Sequence, residues 1–84
     1  MLKPEHAAKL AEQFKKELDA YYCYHELKSS LDGACKTLDT ALEEIMYDEY
    51  LHARFLRSYL QSKDLYKFPM VEEAEKRFLM IEEQ

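Results

Sequence analysis

The sequence predicts an all-α fold: a long antiparallel helical hairpin and a short third helix, completed as a four-helix bundle when two chains pair. Three observations carry this. Ala, Leu, Glu and Lys, all strong helix formers, dominate the composition. The single glycine, Gly33, and the two prolines, Pro4 and Pro69, lie outside the long periodic segments. Apolar residues recur along those segments in alternating steps of four and three, the spacing of one helix face.

The first helix is expected over residues 4–31. Pro4 suits the first helical turn, and Glu5 complements the positive end of the helix dipole. Gly33 stops it, as a glycine just past a helix end commonly does. Its stripe is Leu10, Phe14, Glu17, Tyr21, Tyr24 and Leu31, with Leu27 standing in where strict spacing falls on Lys28. The second helix is expected over 34–62, starting between Ala34 and Thr37. Its stripe is Leu38, Leu42, Ile45, Glu49, His52, Leu56 and Tyr59. The link at Asp32-Gly33 is so short that the two helices must run antiparallel. Residues 63–68 connect to a third helix over 69–83. Its stripe of Val71, Ala74, Phe78 and Ile81 suits covering the hairpin or packing on another subunit. Residues 1–84 form one domain.

A chain of 84 residues holds a marginal core, and such chains are rescued by disulfides, a metal or self-association. Two cysteines, Cys23 and Cys35, with no secretory signal before them, make a poor disulfide framework. Reduced thiols and a cytoplasmic location follow as the expectation. Metal and self-association remain. The formal net charge of −5 argues against nucleic acid as a partner. No apolar run approaches the ~18 residues of a membrane span. With 35% charged and 48% hydrophobic residues, the chain suits amphipathic helices and not disorder.

Ionisable residues interrupt both stripes. A buried lone carboxylate costs several kcal/mol unless it is compensated. Glu17 lies 16 residues before Gly33 and Glu49 lies 16 after it. At ~1.5 Å per residue both stand ~24 Å from the turn, so an antiparallel hairpin brings them to one level. His52, three residues past Glu49, shares its face one turn on. Facing carboxylates repel unless one takes a proton or a dication lies between them. Carboxylates with imidazole suit iron, manganese or zinc. A single Glu-x-x-His occurs by chance in many helices; the weight comes from the matched level of Glu17. Two hairpins related by a two-fold axis would supply two copies each of Glu17, Glu49 and His52. That is the ligand set of a di-metal carboxylate site in a four-helix bundle.

The run Asp48-Glu49-Tyr50-Leu51-His52-Ala53 resembles the D-E-x-x-H-A signature of ferritin-like and rubrerythrin-like proteins. Glu17, Ala20, Tyr24 and Leu27 resemble the E-x-x-A-x-x-x-Y-x-x-L pattern of their ligand helix. Most members carry two such hairpins. This chain carries one, and so is more similar to encapsulated ferritins, whose short chains complete a di-iron site across a dimer interface. The resemblance covers about residues 14–60. It implies Glu17, Glu49 and His52 as metal ligands, Tyr24 as a tyrosine beside the metals, and two iron ions per homodimer or higher even oligomer. It also implies oxidation of ferrous iron by dioxygen or peroxide. The charged end Glu82-Glu83-Gln84 is unlike the apolar tag that directs encapsulated ferritins into a shell.

The remaining polar and aromatic residues have ordinary readings. Tyr21, Tyr22, Tyr47 and Tyr50 fill a core and present hydroxyls to polar groups, whereas Tyr24 shares the stripe of Glu17. Cys23 reads as a buried structural cysteine and Cys35 as a helix-start residue. His6 and His25 read as surface residues. Glu43, Glu44 and Asp48 form a solvated acidic face. The rival to the metal reading is a non-enzymatic helical dimerisation or interaction module without functional metal.

Overall fold

A computed structural model describes residues 3–63 and 69–83. Among them are three helices and no strand: α1 (Pro4–Leu31), α2 (Lys36–Ser62) and α3 (Pro69–Glu82). Each matches its expected span to within two residues. The connection expected at 63–68 lies, beyond Lys63, outside the described residues.

Pro4 takes the first position of α1, where its missing N–H is no loss. The helix ends on two left-handed residues, Asp32 at φ 47° and Gly33 at φ 74°. The stop expected at Gly33 is thus shared with Asp32, a residue type that tolerates this region. The Asp32 N–H bonds the Ser29 carbonyl at 3.2 Å, and the Ala34 N–H bonds that of Leu31 at 2.9 Å. No atom lies within 4 Å of where a Cβ would stand on Gly33. Glycine therefore serves the backbone angle and not the space. Cys35 is the extended residue before α2. Its carbonyl accepts a bond from the Asp39 N–H at 2.9 Å, so it is the helix-start residue the sequence suggested.

The α3 stripe is buried as expected, and it covers the hairpin: Val71, Ala74, Phe78 and Ile81 all face the core. Phe78, fully buried, is its centre. Its ring stacks on Tyr50 at 5.5 Å and meets Phe14 at 6.3 Å, with the Arg57 guanidinium 5.3 Å from its face. Two arginines pin the helix from either side. Arg57 donates through Nε at 3.0 Å and Nη2 at 2.9 Å to Glu75. Arg77 donates through Nη2 to Asp19 at 2.8 Å, and its carbonyl accepts the Tyr22 hydroxyl at 2.8 Å.

The hairpin partly departs from the expected stripes. The buried face of α2 is Leu42, Met46, Ala53 and Leu60, and that of α1 is Ala7, Ala11, Phe14, Leu18 and Tyr21. Leu38, Ile45 and His52 are exposed; Glu49, Leu56 and Tyr59 are half-buried. On α1, Leu10, Glu17 and Tyr24 are half-buried and Leu27 is exposed. The cause is α3. Packed against both long helices, it draws their contact lines round by roughly a sixth to a quarter of a turn, given ~100° per residue. The rest of each stripe is left as an open flank, and Phe55, 69% exposed, adds to it.

Cys23 is exposed, not buried. It lies two residues past buried Tyr21, ~200° round the helix and so on the far side. His6 and His25 are exposed, as expected. The molecule is a rod of 48 × 18 × 16 Å. No helix among the described residues is long and apolar enough to cross a membrane.

Phe78→Ala should lower stability by ~3–5 kcal/mol, the cost of emptying a buried aromatic site. Cys23→Ser should stay within ~0.5 kcal/mol of the parent. Urea unfolding midpoints of the two variants check this, and equal effects would overturn the assignment of the core.

Candidate metal centre

The hairpin turn sets the level of the site. With Glu17 and Glu49 each 16 positions from Gly33, the two carboxylates meet across the helix pair, and His52 joins them one turn on. One ligand atom from each of Glu17, Glu49 and His52 lies within 4.8 Å of the others. The structure therefore brings the three residues singled out in the sequence to one point. Tyr24 is not among the converging groups. It is half-buried and packed beside the core, two turns and ~10 Å along α1 from Glu17.

The cluster sits where the buried face of the hairpin gives way to the open flank. The Glu17 side chain is only 16% exposed, that of His52 is 62% exposed, and the His52 Nδ1 to Glu17 Oε2 distance is 3.6 Å. Gln13, Phe55 and Leu56 complete the rim of an open recess of ≈ 350 Å³. Gln13 donates from Nε2 to Glu17 Oε1 at 2.9 Å. The sequence reading missed Gln13 and Phe55. The first was readable from its i,i+4 spacing to Glu17, a helix-surface pairing distance. The second lies off the stripe and carried no signal.

The two carboxyls shift each other's proton affinity in opposite directions. The Glu49 pKa is pushed up to about 7 by its hydrogen bond to Glu17, then by burial and by the Glu17 charge. Glu17 moves the other way. Burial pushes it up, but the bond from Glu49, the Gln13 amide and His52 outweigh that and hold it below its ordinary value. Glu49 is thus the carboxyl that holds a proton more readily, and Glu17 the one that stays charged. Among the described residues no Lys or Arg pairs with either one.

This donor set fits a divalent metal. Carboxylate oxygens and an imidazole nitrogen suit iron, manganese or zinc. With bonds of ~2.0–2.2 Å, ligands on opposite sides of one ion stand ~4 Å apart, so a small side-chain rotation would let all three share an ion. Gln13 acts as the outer partner that orients such a ligand.

The raised Glu49 pKa makes metal-free stability depend on pH. A raised carboxyl pKa gives stability that is full below the unfolded value and is lost as pH rises through the folded one. For Glu49 that window runs from 4.5 to about 7. Glu17, with a lowered pKa, contributes fully above 4.5 and so adds no slope there. Chelator-treated protein should lose thermal stability across this window by more than a Glu49→Gln variant does. Parallel melting curves against pH for the two proteins would overturn the assignment of the proton to Glu49.

Comparisons with protein-family models, with curated proteins and with solved structures gave no match, so a functional reading rests on the geometry of these residues.

Proposed function

We propose that the chain is a ferritin-like half-bundle that binds two metal ions, iron above all, between two copies of itself. The observation that carries this is the convergence of Glu17, Glu49 and His52 to within 4.8 Å on a flank that also exposes large apolar side chains. Leu27, Leu38, Ile45 and Phe55 expose 46%, 40%, 37% and 69% of their surface there, and large open apolar patches mark interaction sites. A second hairpin laid on the flank would cover these side chains and bring a second ligand trio to the first.

In this reading Glu17 and Glu49 hold the ions as carboxylates, so Glu49 gives up its proton on loading. His52 supplies nitrogen at the outer position, and Gln13 keeps Glu17 oriented. Phe55 and Leu56 keep water from the rim. Tyr24, two turns and ~10 Å along α1 from Glu17, is not a ligand in this reading. Bound iron supplies redox chemistry that no protein acid or base can, and oxidation of ferrous iron by dioxygen or peroxide is the activity the donor set serves best. Manganese and zinc fit the same donors.

Protein loaded with ferrous iron without oxygen should hold about one metal per chain, as a site shared by two hairpins requires. His52→Ala and Glu49→Ala should each lose it. Sedimentation should show a dimer that chelator weakens, and admitting air should draw down oxygen in proportion to iron. A metal content near zero would sink the proposal. A dimer indifferent to chelator would leave a helical interaction module in its place.

A further inference from the structure

We propose that the groove between α2 and α3, walled by Tyr47 and Tyr50 and edged by Glu43 and Glu82, binds a small organic ammonium ion. The groove has a volume of ≈ 380 Å³, within the size range of small-molecule sites. Four of its residues, Glu43, Met46, Tyr47 and Tyr50, follow the i, i+3, i+4, i+7 spacing of one helix face. Ile81 and Glu82 close it from α3, and Tyr21 of α1 lines it too.

The wall is fixed in advance. Tyr47 stacks on Tyr50 at 6.3 Å and 24° between planes, and Tyr50 stacks on buried Phe78 at 5.5 Å and 3°. The Tyr50 hydroxyl donates to Glu82 Oε2 at 2.9 Å, which anchors ring and carboxylate together. Tyr47 is nonetheless 60% exposed, so its outer face is free. Among the described residues Glu43, its side chain 64% exposed, pairs with Lys28 at 3.4 Å, and Glu82 with Arg57 at 4.0 Å, both weak restraints that a bound cation can replace. Among the described residues no basic side chain lines the groove.

Aromatic faces beside carboxylates recognise a cation with an apolar body. An anion would meet Glu43 and Glu82. A neutral molecule would meet the tyrosine rings, Met46 and Ile81 but gain nothing from the carboxylates. A small inorganic dication keeps its water and gains little from a tyrosine face. The groove lies on the α3 side of α2, away from the flank that carries His52. It would therefore stay open in a dimer formed through that flank, and its occupancy does not depend on the metal reading.

The test is a titration of the chelator-treated full chain with 1,4-diaminobutane, followed by NMR of the tyrosine rings and isoleucine methyls. Neutral 1,4-butanediol and magnesium chloride serve as controls. Saturable shifts are expected at Tyr47, Tyr50 and Ile81 with the diamine alone. Tyr47→Ala should weaken binding about tenfold, and Glu43→Gln by several-fold. Tyr47 is exposed enough for its variant to stay folded, which a far-ultraviolet dichroism spectrum confirms. Equal shifts with the diol or with magnesium, or unchanged diamine binding by Tyr47→Ala, would overturn the proposal.

Discussion

The register of the hairpin is the constraint on which the rest depends. Asp32 and Gly33 turn the chain at once, with both backbone angles in the left-handed region. No slack remains for α2 to slide against α1. One residue inserted in the turn would move α2 by ~1.5 Å and rotate it by ~100°, and that rotation would carry Glu49 off the level and face of Glu17. The third helix guards against the same error by another route. By stacking Phe78 on Tyr50 and pairing Arg57 with Glu75, it fixes the rotation of α2, which is what leaves His52 beside Glu17. A short helix without ligands of its own thus helps to place them.

Each long helix carries an apolar arc wider than one partner can cover. The core uses the part centred on Phe14 and Leu18 of α1 and on Leu42, Ala53 and Leu60 of α2. The remainder, with Leu27, Leu38 and Ile45, stays in contact with water. Covering a Leu or Ile side chain fully is worth ~1.5–3 kcal/mol. An uncovered set of this size is a reserve of association energy that the isolated chain does not use. Glu17, Glu49 and His52 straddle the boundary between the two parts. Whatever covers the flank must therefore also deal with their charge, so surface burial and charge compensation are one problem here.

The helix ends were legible in the sequence because Pro4, Gly33 and Pro69 punctuate it. The α3 stripe was legible because its four residues have no rival arc. The level of the cluster followed from counting residues on either side of Gly33. The rotation of α2 was not legible. The stripe through Leu38, Ile45 and His52 and the one through Leu42, Met46, Ala53 and Leu60 overlap, and periodicity alone does not say which part a third helix will claim. Cys23 misled for a related reason: its tyrosine neighbours suggest burial, while its position round the helix excludes it. The pairs Arg57–Glu75 and Arg77–Asp19 join residues from different helices, and no local spacing announces them.

The choice of partners around the carboxylates gives the site its character. Two unit charges ~4 Å apart interact by about 4 kcal/mol at an effective dielectric of ~20, a large share of what a domain this small can spare. A lysine in place of Gln13 would relieve that repulsion permanently. The sequence has its lysines on the neighbouring face instead, and Lys16 pairs with Glu12 at 3.4 Å, away from the cluster. Gln13 orients Glu17 with a neutral amide and leaves its charge uncancelled. The relief that remains is exchangeable: a proton on Glu49, whose pKa is pushed up to about 7. It can leave when a stronger cation arrives, and a fixed ammonium could not. A carboxylate pair built only for stability would carry the lysine. One held by an amide, an exchangeable proton and a neighbouring histidine keeps its charge open to a change of partner.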